Sequence, residues 1–392
     1  MRLLTICGMF AAGEYLASFL PGCSAAWPFA LICAALVALL GYGLGARGWC
    51  HVVVLLAGVA LYLAASCEEE ERFRVSPWMR GREWRTRQQK SEPEGLMRDL
   101  RDDFSRRVGL GVENDWECVS LTRAILLGER GRLPYRTKRL FVESGTMHVF
   151  AISGLHVMAI AEVLTVALMF LMIPRRLVGL VAIPLLWGYV RLIGYSPSAV
   201  RAALMATFLC MAPLFWRKPD GLRAWSLTFL VVHIADPLKI TNIGNALSFA
   251  VMLAIVLVGE YGRSMTRWRR GFLSTAAAWA VGVPIAAHVF GRVTPGGMVA
   301  NLVLIGTAKL TVVSGALGLA ASYVSETLAA HVNNICALGI RAMVLLAECV
   351  SRLPGANFET GNWPILTCVE WYAVLAAVGF LMWKAAERRR IP

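Results

Sequence analysis

The sequence predicts an all-α, polytopic helical membrane protein, and three observations support this fold class. Hydrophobic residues make up 57% of the 392 residues and only 16% are charged, whereas soluble proteins carry about 25% charged residues. The mean hydropathy is +0.60. Apolar runs of about 17–25 residues recur along the chain, and a helix needs this length to cross a bilayer. Because the runs are continuous rather than alternating, a membrane β-barrel is not expected.

The chain contains about 10–12 hydrophobic segments, and we expect broken or re-entrant helices among them. The first run resembles a signal peptide, but Glu14 interrupts it and further spans follow, so we interpret it as a weak span. The run at 222–235 is short and that at 335–350 contains Arg341 and Glu348, so both are expected to be re-entrant or interfacial. The candidate segments are residues 3–20, 28–46, 51–66, 149–173, 177–193, 199–215, 222–235, 243–260, 272–290, 298–322, 335–350 and 367–384.

The distribution of charge divides the chain into three regions: N-terminal membrane spans at 1–66, a polar external segment at 67–117 and a membrane core at 118–392. The polar segment holds 11 basic and 13 acidic residues, which leaves 28 basic and 12 acidic residues elsewhere. If every candidate spans, the short basic loops fall on one face, which should be cytoplasmic. We therefore expect a multi-pass protein of the cytoplasmic (inner) membrane. The basic surplus would also suit a polyanion that passes through the protein.

The ten cysteines indicate neither a metal site nor a cofactor, because no pair has CxxC spacing. Most of them fall in apolar runs, where Cys behaves as a small hydrophobe. Cys67 and Cys118 instead bracket the polar segment, and they are a candidate disulfide if that segment faces an oxidising compartment. The chain has no GxxxxGK[ST] string, so an ATP-driven motor would be a separate protein.

The first stretch with unusual polar residues runs from His148 to His156 at the mouth of an apolar run. On a regular helix Ser153 and His156 would be neighbours, and His148 would lie about 140° from Ser153. Gly154 would be a point of close packing or a helix break. The histidines either pack into neighbouring helices or form a nucleophile pair with the serine. Because no GxSxG elbow and no third member are identifiable, we expect no catalytic residue and no enzyme activity.

The second stretch predicts a helix start that favours an anion. Ser196 is a suitable N-cap and Pro197 suits the first helical position. Arg201 would lie about one turn inside the helix, and Arg191 on the other side of a break at Gly194. Free amide groups at a helix start and the planar guanidinium both suit phosphate. The alternative is a capped helix whose arginine pairs with an acid or extends towards the membrane surface.

The third stretch contains Asn245 and Ser248, which lie three residues apart and therefore on one helix face. A preceding Asp236-Pro237 signals a loop before this helix. Hydrogen bonding between membrane helices is the usual reason for such a polar pair.

The fourth stretch contains Arg292, Asn301 and Lys309. Lys309 lies in the middle of an apolar run, where a lysine costs roughly 2.5–3.5 kcal/mol on insertion scales. Either an acid such as Glu162 or Glu348 neutralises it, or it lines a hydrated path for an anion.

Together, these stretches resemble the ComEC family of competence proteins over about residues 118–384. The resemblance begins with Leu126-Leu-Gly-Glu-Arg and the string from His148 to His156. It continues with Ser196-Pro-Ser-Ala-Val-Arg201-Ala, Asp236-Pro-Leu, Asn245-Ala-Leu-Ser-Phe249, and Asn301 after a Pro-Gly-Gly loop. One departure is at 242–245, where the family tends to have Gly-Phe-Gln-Leu-Ser. The family's OB-like and metallo-β-lactamase-like flanking domains are expected to be abbreviated or absent.

The resemblance implies an inner-membrane channel that passes single-stranded DNA inward during natural transformation. Membrane lipid, a DNA receptor, a nuclease and a motor would be further partners, and an oligomer is compatible with this function. Tyr195 and Phe249 are expected to stack on bases. The implied pore or DNA-path residues are His148, Ser153, Gly154, His156, Arg191, Ser196, Pro197, Arg201, Asn245, Ser248, Arg292, Asn301 and Lys309. The alternatives are a degenerate member that acts as a scaffold or transports another anion, and an intramembrane Ser/His hydrolase.

Overall fold

The described part of the protein is almost entirely helical, which confirms the all-α class. Its strands are two residues long and form one antiparallel pair. The candidate spans before residue 67, most of the polar external segment and Cys67 lie outside the described residues. The computed structural model describes residues 95–129, 131, 133–149 and 153–388, with Cys7, Phe10 and Ala11.

The helices are numbered along the described part of the chain. They are α1 (Leu96–Arg107), α2 (Trp116–Leu127), α3 (Tyr135–Glu143), α4 (Gly154–Phe170), α5 (Arg175–Leu192), α6 (Pro197–Met211), α7 (Gly221–Ala235), α8 (Ile243–Tyr261), α9 (Arg267–Phe290), α10 (Pro295–Ala321), α11 (Glu326–Ser351) and α12 (Ile365–Arg388). Short 3₁₀ turns occupy Met147–Val149, Ala212–Phe215 and Pro237–Thr241, and the strands are β1 (Arg292–Val293) and β2 (Phe358–Glu359).

Five helices of the described part are long and apolar enough to cross a membrane, which confirms a polytopic membrane protein. They are α6 with its following 3₁₀ turn, α8, α9, α10 and α11. The run at 335–350, expected to be interfacial, belongs to the 26-residue α11. The apolar run is shorter than the helix because the first turns of α11 contain polar residues. The run at 222–235 corresponds to α7, which has only 15 residues.

Local capping explains where several helices begin. An N-cap side chain accepts a hydrogen bond from a backbone N–H three residues later, which satisfies one of the donors that a helix start leaves free. Pro184 and Pro284 lie inside α5 and α9, where each removes one backbone hydrogen bond. The capping residues are Asp115 for α2, Ser196 for α6, Asp220 for α7, Thr266 for α9 and Ser325 for α11.

The chain divides into two compact units, and the first comprises residues 161–249 with 95–101 of the described part. In this unit α6 packs between α5 and α7. Gly179 permits the close approach of α5 to α6, because a Cβ there would lie 2.5 Å from the carbonyl oxygen of Cys210. The Trp187 indole donates to Thr207 Oγ1 at 3.1 Å.

The second unit comprises residues 102–160 and 250–388 of the described part, and the hairpin of α10 and α11 is its centre. Small residues let the two helices approach closely; they include Ala300 and Gly318 of α10 and Gly339 of α11. Helix α2 packs against both helices, with Leu126 directly against Gly315. Residues 118–127 of α2 are buried except for Arg123, so most of this helix is part of the packed interior of the second unit.

Two loops of the second unit are tied together by strand pairing. Val293 of β1 pairs with Phe358 of β2. The Gly296 N–H donates to the Ala356 carbonyl at 3.1 Å. Consequently the start of α10 and the chain before α12 are held as one structure.

Candidate functional site

The junction of α5 and α6 has the local structure that the sequence predicts. Arg191 is exposed in the last turn of α5. Gly194 and Tyr195 then adopt left-handed φ angles of 79° and 52°. The Ser196 hydroxyl caps α6 by accepting from the Ala199 N–H at 3.4 Å, and Pro197 is the first helical residue. A left-handed non-glycine residue costs about 1–3 kcal/mol and persists only where its surroundings enforce it.

Arg201 is the centre of a hydrogen-bonded cluster in the first unit. Its Nε donates to Ser248 Oγ at 3.1 Å, and its Nη1 donates to Asn245 Oδ1 at 3.1 Å. Asn245 and Ser248 therefore share one face of α8 and both contact α6. Among the described residues, no carboxylate lies within ion-pair distance of Arg201. The half-buried charge is thus held by neutral partners.

The guanidinium of Arg201 keeps donors for a further ligand. An arginine has five N–H donors, and two are used here, so three have no protein partner within the described part. They lie on Nη1 and Nη2, and this edge suits two oxygens of a phosphate. The Arg201 Cζ also lies 5.8 Å from the centroid of the Phe249 ring, within cation–π range.

The expectation that Phe249 stacks on bases is wrong. Its side chain is only 5% exposed. Its ring makes edge contacts with Trp225 at 5.8 Å and Phe229 at 5.2 Å between centroids. The exposed Tyr195 is the remaining aromatic candidate.

His233 belongs to the same cluster, although none of the four polar stretches of the sequence includes it. Its Nε2 lies 3.0 Å from Asn245 Nδ2, and its Nδ1 lies 2.8 Å from the Phe229 carbonyl oxygen. Asn245 Nδ2 also donates to the Lys239 carbonyl at 3.1 Å. His233 is buried. A histidine inside the apolar run at 222–235 was the signal that could have identified it.

The stretch at 148–156 is not one continuous helix, so the predicted angle between His148 and Ser153 does not apply. His148 is exposed in a 3₁₀ turn, and α4 begins at Gly154. Residues 150–152 lie outside the described part. Gly154 is therefore a helix start rather than a point within a helix.

Ser153 and His156 contact each other at the start of α4. The Ser153 backbone N–H donates to His156 Nδ1 at 3.1 Å, and the Ser153 Oγ lies 2.9 Å from the same nitrogen. The bond from the Ser153 N–H to His156 Nδ1 is one half of a capping box, with histidine in the place usually taken by glutamate; the Ser153 hydroxyl contacts the ring instead of a backbone N–H. Because the backbone N–H donates to Nδ1, that nitrogen is an acceptor and His156 is neutral. The serine can then donate to it too, as in a nucleophile–base pair.

The residues of the fourth stretch do not form one cluster of direct contacts in the second unit. Arg292 pairs with Glu359 across the β1–β2 pair, so its charge is compensated. The Asn301 Oδ1 is buried and has no hydrogen-bond partner within the described part. Lys309 lies on an exposed face of α10.

The predicted site residues divide between the two units. Hydrogen bonds join Arg201 with Asn245 and Ser248 in the first unit, and Ser153 with His156 in the second. The first unit also holds Arg191, Ser196 and Pro197, and the second also holds His148, Gly154, Arg292, Asn301 and Lys309.

Cys118 is buried at the start of α2 and forms no disulfide with another described cysteine. Burial and the nearby Asp115 raise the pKa of this thiol to about 12. Because Cys67 lies outside the described residues, their pairing stays a prediction. Among the described residues, no group of three or more His, Cys, Asp and Glu side chains could hold a metal ion.

The candidate site residues lie in a part of the chain that is similar to a known protein family. Residues 125–385 match the family model described as "Competence protein". The chain is 30% identical over 146 residues to ComE operon protein 3 of Bacillus subtilis, which covers 36% of this chain and 18% of that protein. It is also 30% identical over 155 residues to competence protein ComA of Neisseria gonorrhoeae, covering 35% and 21%.

A third relative, the uncharacterized protein YcaI of Escherichia coli, is 30% identical over 150 residues. That match covers 36% of this chain and 19% of YcaI. Each match thus spans about a fifth of the relative. No solved structure matches the chain.

Proposed function

The chain belongs to the competence protein family, and on that premise we propose that it is a channel for single-stranded DNA. It lies in the cytoplasmic membrane and carries the strand inward during natural transformation. Two relatives that match over a third of the chain bear competence names, which supports a role in DNA uptake. A DNA receptor, a nuclease and an ATP-driven motor act as separate partners.

The observation that carries the proposal is the Arg201 cluster. A strand presents one negative phosphate per nucleotide, and conduction requires contacts weak enough to release it. Arg201 has a half-buried positive charge, neutral hydrogen-bond partners and three free donors in the described part. A carboxylate partner would cancel this charge, whereas Asn245 and Ser248 hold the side chain without doing so. Arg201 therefore contacts successive phosphates as the strand passes.

The exposed Tyr195, next to the start of α6, supplies a stacking surface for bases. It lies six residues before Arg201 on the same polypeptide segment of the first unit. None of these contacts requires covalent chemistry, so we propose that the protein is not an enzyme.

The test compares binding of a fluorescent single-stranded oligonucleotide to the purified protein in nanodiscs at several salt concentrations. The slope of log K against log salt changes by about 0.7 for each phosphate contact on a single strand. We expect Arg201→Ala to reduce the magnitude of this slope by that amount. Arg263→Ala is the matched control, because it removes an equal charge that is exposed and paired with Glu260 at 2.7 Å.

The cellular test measures cytoplasmic arrival of labelled DNA in the natural host. It compares a deletion strain with strains that express the wild type or Arg201→Ala at equal membrane abundance. Uptake restored by the wild type only would support the channel. No effect of the deletion would overturn it and favour a scaffold or a transporter of another anion.

The contact between Ser153 and His156 favours one second candidate, an intramembrane hydrolase. Ser153→Ala separates the two functions because it removes the hydroxyl nucleophile. A channel retains most DNA uptake in this variant and loses only the hydrogen bond between the Ser153 hydroxyl and His156, about 1 kcal/mol of stability. Complete loss of function at normal abundance would favour the hydrolase.

A further inference from the structure

We propose that His233 is a positioning residue for the DNA contact: as a neutral histidine protonated on Nδ1, it orients Asn245 and thereby aims Arg201. This inference rests on the proposed function and adds a residue that no motif assigned. His233 lies on α7, Asn245 on α8 and Arg201 on α6, so the chain of contacts links three helices of the first unit.

The orientation of the Asn245 amide follows from two of its partners. Arg201 can only donate hydrogen bonds, so the Asn245 atom that faces it at 3.1 Å must be the amide oxygen. The Lys239 carbonyl can only accept, so the atom that faces it at 3.1 Å must be the amide nitrogen. A flipped amide would place donor against donor and acceptor against acceptor.

The tautomer of His233 then follows from its two neighbours. The amide nitrogen of Asn245 is a donor, so His233 Nε2 accepts its second N–H at 3.0 Å. Nδ1 must therefore carry the proton, and it donates to the Phe229 carbonyl at 2.8 Å. Both ring nitrogens are satisfied by a neutral imidazole. This pairing of one nitrogen as donor and the other as acceptor fixes the ring, as a second partner often does for functional histidines.

Packing holds the imidazole in place. The ring centroid of His233 lies 4.1 Å from that of Phe229 and 5.5 Å from that of Phe249. The Trp225 indole donates to the Phe249 carbonyl at 3.0 Å, which ties α7 to the first turns of α8. The aromatic contacts therefore hold the His233 ring in one position. The hydrogen bonds from His233 to Asn245 and from Asn245 to Arg201 then fix the position of the guanidinium.

Removal of the imidazole should take away one of the two acceptors of the Asn245 amide nitrogen and loosen the hold of Asn245 on Arg201, which then has Ser248 as its one firmly placed partner. The positive charge of Arg201 remains, but the guanidinium no longer contacts the DNA phosphates in one fixed geometry. His233 thus acts through Arg201 and does not itself contact DNA.

The experiment uses the full chain in nanodiscs and the fluorescent oligonucleotide at several salt concentrations, with thermal unfolding measured in parallel. The variants are His233→Ala, Arg201→Ala, the double variant and His233→Gln. We expect His233→Ala to reduce the salt slope by about 0.7, as Arg201→Ala does. The double variant should be no worse than either single one, since both remove the same contact. Glutamine can accept from Asn245 and should restore most of the binding.

His288→Ala is the matched control, because this histidine also uses Nδ1 to bond a carbonyl, that of Trp363 at 2.7 Å, in the second unit. It should leave the salt slope unchanged. If His233→Ala keeps the wild-type slope, or if its loss adds fully to that of Arg201→Ala, His233 is not a positioning residue. If Arg201→Ala itself keeps the wild-type salt slope, Arg201 does not contact DNA, and both the proposed function of this residue and the role of His233 are wrong.

Discussion

Gly318 of α10 lies directly against the side-chain amide of Asn333 of α11, so that a Cβ at position 318 would overlap the amide oxygen. The Asn333 amide nitrogen donates to the carbonyls of Leu110 at 3.0 Å and Arg107 at 3.3 Å. The missing side chain of Gly318 therefore makes room for a buried polar side chain, which satisfies the backbone at the end of α1.

Gly318→Ala should destabilise the protein by about 1–3 kcal/mol, because the added methyl group displaces Asn333 in a closely packed hairpin. The higher helix propensity of alanine offsets up to about 1 kcal/mol of this loss. Thermal unfolding in detergent measures the change. Gly306→Ala is the control on the same helix, since a Cβ there meets no atom within 4 Å in the described part. Equal effects of both variants would show that the hairpin tolerates the extra volume.

Asp115 should make the stability of α2 depend on pH. Its pKa is held below the ordinary value because it accepts from the Cys118 N–H at 3.0 Å and pairs with Arg341 at 2.8 Å. A lowered folded-state pKa gives stability that is present above the ordinary carboxylate pKa of about 4 and is lost as the pH falls further.

Two variants at position 115 separate the cap from the charge. Asp115→Ala should cost about 1 kcal/mol at neutral pH through loss of the cap. Asp115→Asn keeps a capping oxygen and should cost less, while it removes this residue's contribution to the acid sensitivity. Chemical unfolding at pH 7 and at pH 3.5 tests both expectations. An asparagine variant as sensitive to acid as the wild type would rule out this contribution.

Tyr195 should show a conflict between stability and binding. Tyr195→Gly relieves the left-handed backbone and should stabilise the protein by up to about 1 kcal/mol. Tyr195→Ala keeps the strained backbone and should not. Both variants lose the ring, so both should weaken oligonucleotide binding by about 1–3 kcal/mol if one base stacks there. Unchanged binding in both variants would remove Tyr195 from the DNA path.

Cys118 should be unreactive towards maleimide at neutral pH in the folded protein, because burial raises its pKa to about 12. After denaturation without a reductant, a free thiol at Cys118 should label fully. If Cys118 is paired with Cys67, labelling of the denatured protein should require a reductant. Peptide mass spectrometry after each treatment distinguishes the two states.

Local signals in the sequence predicted the helix starts well and the tertiary partners poorly. Ser196 and Pro197 predicted the start of α6 because a cap depends on neighbouring backbone groups. The shared face of Asn245 and Ser248 also followed from their spacing. Their contact with Arg201 did not, because a bond across 44 or 47 residues leaves no periodic signal.

Two features of the site were missed or misjudged for physical reasons. His233 stands alone in an apolar run, and its role depends on partners that only the packing of α6, α7 and α8 supplies. The angle between His148 and Ser153 assumed a continuous helix, whereas a 3₁₀ turn precedes the start of α4. Phe249 was misjudged because composition gives no information on which aromatic ring is buried.

The dependence of Arg201 on distant partners has a consequence for biogenesis. Asn245 and Ser248 follow Arg201 by 44 and 47 residues, so at about 5–20 residues per second a ribosome needs roughly 2–9 s to add them. During that interval α6 carries an arginine, one turn inside its start, that lacks these two hydrogen-bond partners, and an arginine within a membrane helix carries an insertion cost. We therefore expect α6 to stay beside the insertion machinery until α8 emerges, and these helices to enter the bilayer together rather than one at a time.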